Sequence, residues 1–252
     1  MKKPYIGITG FMSFEEVNDV LQSVDFQKSG RLLMIGVLVS SKTMQGIPNK
    51  WPKRYPNFSE VKNIFPKNEN CLNLIHFNTK EPEDLFNQLM KITTEVGSSI
   101  DGFQLNIPWP SVTQLGDYKE ICPDMQIVLQ IGQHAFDQID NNPSNLAERV
   151  EEYLGIIDYV LLDPSGGLGQ PFDPEVAKSY LDELRKFENE LGLGVAGGLS
   201  PTTLNLLEDL IKDYPNLSTD AEGKLRSAED HLLTHVSSQY ARESLRMFSG
   251  ER

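Results

Sequence analysis

Short runs of apolar residues recur along the whole chain, and segments with helical spacing of apolar residues separate them. Most of these runs are rich in Val, Ile and Leu and are no longer than a buried β-strand. They lie at residues 5–10, 32–40, 71–78, 102–108, 126–132, 158–163, 193–197 and 217–220. The pattern therefore predicts eight strands.

Between the strands, apolar residues fall on one helical face, as at Leu146, Val150 and Leu154. Ser-Pro and Asp-Pro pairs supply start signals, because a capping side chain is followed there by a proline in the first helical position. Eight strands alternating with eight helices, the last over about 229–248, predict an α/β protein with a closed parallel sheet. We expect a single (β/α)8 TIM barrel over residues 1–252, with an open doubly wound sheet as the alternative.

Composition narrows the class of partner. The chain has 252 residues, 39% of them hydrophobic, and a formal net charge of −13. This charge disfavours non-specific binding to nucleic acid or anionic lipid, so we expect neither a nucleic-acid nor a membrane partner. Only Cys71 and Cys122 are present, which excludes a disulfide framework and fits a reducing compartment. We expect a cytoplasmic protein, monomer or homodimer, that acts on a small molecule.

One segment departs from the acidic average. No acidic residue occurs from position 26 to 59, whereas six basic residues do, and the second half of this segment has the composition of a loop. We predict a long loop over residues 41–58 after the second strand, which acts as a lid or a capture loop for an anionic ligand. A solvated basic loop is the alternative.

The residues at the ends of the strands carry the candidate chemistry, because (β/α)8 enzymes build their sites on the loops that follow the strands. Asp163 ends the apolar sixth strand. Burial there would raise its pKa and suit it to general acid or base catalysis. Gly166 and Gly167 follow in a glycine-rich turn. Alternatively, Asp163 caps a neighbouring loop or helix.

Glycines after the last two strands suggest where a ligand binds. Gly197 and Gly198 follow the seventh strand, and Asp220, Ala221 and Gly223 follow or end the eighth. Positions without a side chain let backbone N–H groups approach an anion, so the two turns predict a phosphate site. Tight turns alone would also select glycine.

Several motifs together resemble those of the phosphoribosylanthranilate isomerase family of tryptophan biosynthesis. They are Tyr159-Val-Leu-Leu-Asp163 with Gly166-Gly-Leu-Gly169 and Phe172-Asp173, Ala196-Gly-Gly-Leu-Ser-Pro201, Ile8-Thr-Gly10, Gln104-Leu105 and Ser40-Ser-Lys42. The resemblance implies a barrel that performs an Amadori rearrangement, an aldose–ketose isomerisation of a phosphoribosylamine.

By this resemblance Asp163 is the general acid, and Thr9 occupies the position of the base, where the family has cysteine. A threonine hydroxyl does not ionise near neutral pH without an activating base. Lys42 replaces an arginine and Asn106 a histidine among the ligand-binding positions, and Glu222 stands where the family has small phosphate donors. The scaffold and the phosphate site therefore carry over more safely than the reaction.

Two other functions remain open. One is a binding protein that kept the phosphate site and lost the base, and the other is an enzyme with changed chemistry that uses His134 or Glu222 as its base. His231 and His235 have the i, i+4 spacing of helical metal ligands, but the Glu of a zincin motif is missing between them. We predict neither a metal nor a cofactor.

Overall fold

The chain folds as a closed barrel of eight parallel strands, in which neighbours in sequence pair and β8 closes the ring against β1. The computed structural model describes residues 1–164 and 172–250. The strands are β1 (Tyr5–Thr9), β2 (Leu32–Ser40), β3 (Cys71–Asn78), β4 (Gly102–Leu105), β5 (Gln126–Gly132), β6 (Tyr159–Asp163), β7 (Gly192–Ala196) and β8 (Ser218–Ala221). The predicted (β/α)8 barrel is confirmed, and the open-sheet alternative is wrong.

The helices lie between the strands. They are α1 (Phe14–Ser23), α2 (Ser41–Met44), α3 (Leu85–Val96), α4 (Val112–Ile121), α5 (Gln133–Asp137), α6 (Pro143–Glu151), α7 (Pro174–Leu184), α8 (Leu210–Asp213) and α9 (Thr234–Ser249). Short 3-10 helices cover Phe58–Asn63, Pro82–Asp84, Gly97–Ser99, Arg185–Phe187, Leu204–Leu207 and Gly223–Leu225. Among the described residues, none of the helices combines the length and apolar character that crossing a bilayer requires.

Two segments differ in detail from the sequence prediction. The segment 41–58 begins with a short helix, α2, because Ser40 and Thr43 form a capping box directly after β2. The last helix begins at Thr234 rather than near 229, because the preceding chain turns back on itself through a bridge between Arg226 and Leu232. His231 therefore lies before the helix, and the proposed i, i+4 pair is not a helical pair.

The barrel interior changes from apolar to polar toward the carboxyl ends of the strands. Side chains two positions apart point to the same face of a strand. The residue two positions after an inward-pointing apolar residue therefore also points into the barrel. The buried interior cluster includes Tyr5, Leu74, Val128, Tyr159 and Leu161. Two positions beyond Leu74, Val128 and Leu161 come His76, Gln130 and Asp163. The apolar layers thus close the bottom of the barrel and leave a polar layer at its mouth.

Candidate active site

Asp220 of β8 is the central group of this polar layer. It is buried, and the Thr9 hydroxyl lies 3.0 Å from both of its carboxyl oxygens, while Gln104 Nε2 donates to its Oδ2 at 3.0 Å. Burial raises the pKa of Asp220 to about 7, because it penalises the charged form. The charges of Glu222 and Asp163 act in the same direction, and the two hydrogen bonds oppose it. A pKa in this range suits Asp220 to taking up or giving a proton near neutral pH.

A chain of amide side chains links Asp220 to Asp163. Gln104 Nε2 also donates to Gln130 Oε1 at 3.0 Å, and Gln130 Nε2 donates to Asp163 Oδ2 at 3.0 Å. Asp163 itself is half-buried at the end of β6. We expected an acid in an apolar setting at the end of this strand, and the structure places a more deeply buried carboxyl, that of Asp220, in the same layer. The layer thus holds two carboxyl groups in different environments, joined by hydrogen bonds.

His76 completes the layer and was missed by the sequence analysis. Its Nδ1 lies 3.1 Å from Gln104 Nε2, and its Nε2 lies 3.5 Å from Asn106 Nδ2. Burial lowers the pKa of His76, because it penalises the charged imidazolium form, and the charges of Glu222 and Asp163 oppose this shift. The signal that would have found it is its place two residues after Leu74, which makes it a polar residue on an inward face.

A cavity of about 310 Å³ opens above this layer, near the ends of β6, β7 and β8. Such a volume is at the low end for ligand pockets, so the cavity fits a small molecule. Its lining consists of Arg54, His76, Gln130, Asp163, Ala196, Gly197, Gly198, Leu199, Asp220, Ala221, Glu222, Gly223 and Lys224. Most of the residues predicted after the seventh and eighth strands therefore border one space together with Asp163.

The glycine turn after β7 presents bare backbone to this cavity. Gly197 and Gly198 have φ values of 101° and 67°, a conformation that favours glycine over other residues. Within the described part of the chain, their N–H groups donate to no protein acceptor. Lys224, from the 3-10 helix after β8, lines the same side. The arrangement can donate hydrogen bonds to a ligand and balance its negative charge.

The loop after β2 reaches the cavity through Arg54. Its guanidinium pairs with Glu222 at 2.8 Å and with Asp230 at 2.7 Å, and all three side chains are largely shielded from solvent. The hydrogen bond to Asp230 and the nearby carboxylates raise the pKa of Arg54. The charge of Glu222 is therefore only partly balanced, because one guanidinium is shared between two carboxylates. In the loop predicted after β2, Arg54 is held against two carboxylates.

Arg226 contacts Gly10, the residue that follows β1, and this contact helps to explain why a glycine stands there. Its Nη2 donates to the Gly10 carbonyl at 2.7 Å, and a Cβ added to Gly10 would lie 2.1 Å from that nitrogen. Gly10 also has a φ of 103°. Packing and backbone geometry are thus enough to require the glycine that follows β1.

Several predicted residues lie away from the cavity. Lys42 is exposed on α2 and His134 is exposed on α5, and neither lines the cavity. Thr9 is buried beneath Asp220 and does not line the cavity. Gly166 and Gly167 lie outside the described residues. Across positions 1–164 and 172–250, no group of three or more His, Cys, Asp or Glu side chains is arranged to hold a metal ion.

A second cavity, of about 340 Å³, lies at the opposite end of the barrel. Its lining includes Leu191, Tyr214 and Leu217. The catalytic groups of (β/α)8 enzymes lie at the carboxyl ends of the strands. Because the polar layer is also at that end, the candidate site is the mouth.

No family model and no curated protein matches the sequence. Solved structures match over almost the whole chain. A structure described as native KDPGal has a TM-score of 0.54 and 14% identity, covering 99% of this chain and 96% of that one. The YdjI aldolase from Escherichia coli K12 has a TM-score of 0.51 and 11% identity, with coverages of 98% and 90%. A Rubisco-like protein from Rhodopseudomonas palustris has a TM-score of 0.57 and 12% identity, with coverages of 100% and 66%.

At these identities the matches show a common fold alone. They support the TIM barrel, and none of the three is described as a phosphoribosylanthranilate isomerase. The resemblance to that family therefore remains a hypothesis from the sequence motifs.

Proposed function

We propose that the barrel is an acid–base enzyme for a small phosphorylated carbonyl compound, with aldose–ketose isomerisation as its reaction. The observation that carries this proposal is the pair of carboxyl groups, Asp163 and Asp220, that line one cavity and are joined through Gln104 and Gln130. An isomerase needs one group that takes a proton and one that gives a proton, and this pair meets that need.

Asp220 is the proposed base. A general base works best when its pKa is close to the working pH, and the pKa of Asp220 is raised to about 7. Thr9, which the family resemblance sets at the base position, is buried and hydrogen-bonded to the Asp220 carboxyl. We assign Thr9 the role of positioning Asp220, and Asp163 keeps the role of general acid that the resemblance implies.

The proposed reaction balances with these two groups. Asp220 removes the proton from C2 of the open-chain aldose, and the electron pair forms a C1=C2 double bond. Asp163 gives a proton to the C1 heteroatom as its double bond to carbon opens, which yields an enediol or enolamine. Protonated Asp220 then gives a proton to C1, and the C2 hydroxyl gives its proton to the Asp163 carboxylate as the C2 carbonyl forms, which completes the ketose and restores both groups.

The phosphate group is proposed to bind at the outer end of the cavity. Two observations support this: the N–H groups of Gly197 and Gly198 donate to no acceptor in the described part of the chain, and Lys224 lines the same cavity. The neighbouring turn at Ala221 and Gly223 borders the same end. Lys42 and Asn106 do not line the cavity, and we leave them out of the proposed site.

Exchange of the C2 proton in D₂O, followed by NMR, tests this function whatever product is formed. The protein is incubated with phosphoribosylanthranilate and, separately, with aldose phosphates such as ribose 5-phosphate. We expect exchange with at least one of them, abolished by Asp220→Asn. Asp163→Asn should lower both exchange and ketose formation, because proton delivery to the C1 heteroatom accompanies removal of the C2 proton.

Asp117→Asn is the matched control, because Asp117 is exposed on α4 and the change removes the same charge far from the mouth. It should leave exchange unchanged. Exchange that persists undiminished in Asp220→Asn would show that Asp220 is not the base.

A non-catalytic binding barrel is the second candidate. The observation in its favour is Thr9, which stands where the family resemblance implies a cysteine base. Binding alone predicts that phosphate compounds raise the melting temperature while none of them exchanges its C2 proton.

A further inference from the structure

We infer that the inner end of the cavity selects ligands whose far end is neutral and rich in hydroxyl groups, and that it rejects a second anionic group. This inference rests on the proposed function, since it takes a phosphate to be held at the outer end. The inner end is the surface formed by His76, Gln130, Asp163 and Asp220, and the outer end is that formed by the two glycine turns and Lys224.

Charge is divided between the two ends. The inner end carries the carboxyl groups of Asp163 and Asp220 and, among the described residues, no lysine or arginine. The segment 165–171 does not alter this, because Ser-Gly-Gly-Leu-Gly-Gln-Pro has no basic side chain. The two cations of the described lining are Arg54, which already pairs with Glu222 and Asp230, and Lys224.

The hydrogen-bond donors at the inner end of the cavity mostly have partners within the protein. Gln130 directs its amide N–H to Asp163 and receives the amide of Gln104 on its carbonyl. Gln104 and Thr9 direct their donors to Asp220. Among the described residues, the amide and hydroxyl donors of Gln104 and Thr9 are thus directed to groups of the protein, and the charged groups of the inner end are its two carboxyl groups. A ligand hydroxyl can donate to these carboxyl oxygens.

Hydroxyl groups supply such donors, whereas a carboxylate supplies only acceptors and a like charge. Two carboxylates repel each other more strongly in a confined site than in water, because the effective dielectric constant is lower there. The cavity therefore favours a phosphorylated sugar or polyol. A conjugate that carries a second carboxylate, such as phosphoribosylanthranilate, is disfavoured.

A matched pair of six-carbon phosphates tests this selectivity. Glucitol 6-phosphate and 6-phosphogluconate differ only at C1, which is a hydroxymethyl group in the first and a carboxylate in the second. Their dissociation constants are measured by calorimetry at low ionic strength and pH 8, with inorganic phosphate as a third ligand. We expect glucitol 6-phosphate to bind at least about tenfold more tightly than 6-phosphogluconate, a difference of about 1.4 kcal/mol.

Two variants identify the source of the difference. Asp163→Asn should bring the two dissociation constants closer together by tightening 6-phosphogluconate, and Asp117→Asn should leave their ratio unchanged. Unliganded melting curves of both variants check that they fold.

The outcomes separate this inference from the function on which it rests. Equal binding of the pair, or tighter binding of 6-phosphogluconate, overturns the inference while leaving the phosphate site intact. A ratio that Asp163→Asn does not change would also overturn it, because the carboxylate would then not be the selecting group. If neither the pair nor inorganic phosphate binds, the phosphate site is wrong and the inference falls with it.

Discussion

Replacing Asp220 with asparagine should change how the stability of the protein depends on pH. Burial raises the pKa of this carboxyl from its ordinary value of 3.8 to about 7 in the folded state. One pKa unit corresponds to ~1.36 kcal/mol, so ionisation of the buried group costs about 4 kcal/mol of folding free energy.

The sign follows from where the protons are bound. Below about pH 4 the carboxyl is protonated in both the folded and the unfolded chain, and its contribution to stability is fully present. Between about pH 4 and pH 7 the unfolded chain has lost the proton while the folded chain keeps it. The wild-type protein therefore loses stability as pH rises through this range, and the loss is complete above pH 7.

Asparagine mimics the protonated acid. Its carbonyl can accept from Gln104, and its amide can donate to the Thr9 hydroxyl, which lies 3.0 Å from both carboxyl oxygens in the wild type. Asp220→Asn should thus gain up to about 4 kcal/mol relative to the wild type between pH 4 and pH 8. Urea unfolding at half-unit pH steps measures the difference. Parallel curves for the two proteins would refute the reasoning, and Asp117→Asn should run parallel to the wild type.

Three further outcomes are expected. Inorganic phosphate should raise the melting temperature, and Gly198→Asp should abolish this rise, because it adds a carboxylate and a strained side chain at the proposed anion site. An undiminished rise would remove that site from the proposal. Gly10→Ala should cost about 1–3 kcal/mol in urea unfolding, because its Cβ would collide with Arg226 at a positive φ, and a neutral result would contradict the close approach of these two residues. Arg54→Met should cost about 1 kcal/mol at low salt through loss of its pair with Glu222, and the cost should shrink in 1 M NaCl.

The sequence by itself determined the barrel and indicated the carboxyl ends of its strands as the candidate site. Eight apolar runs separated by helical patterns admit few arrangements, and the predicted limits of β2, β3 and β5 agree with the structure residue for residue. The order of apolar and polar residues within one segment is enough to predict such elements, because both burial of a strand on its two faces and helix periodicity appear in neighbouring residues. The glycine pair at 197–198 was likewise readable, since its backbone conformation favours residues without a side chain.

Only the tertiary structure decided which carboxyl is buried and what surrounds it. The sequence favoured Asp163 as the catalytic carboxyl, because it ends an apolar strand. In the structure, the carboxyl that is enclosed is that of Asp220, and the side chains that enclose it, Thr9 and Gln104, lie 211 and 116 residues away in the chain. Desolvation and hydrogen bonding depend on contacts between strands that are distant in sequence, so no local pattern reveals them. For the same reason the sequence did not reveal that Arg54 pairs with Glu222, because the two residues are 168 positions apart in the chain.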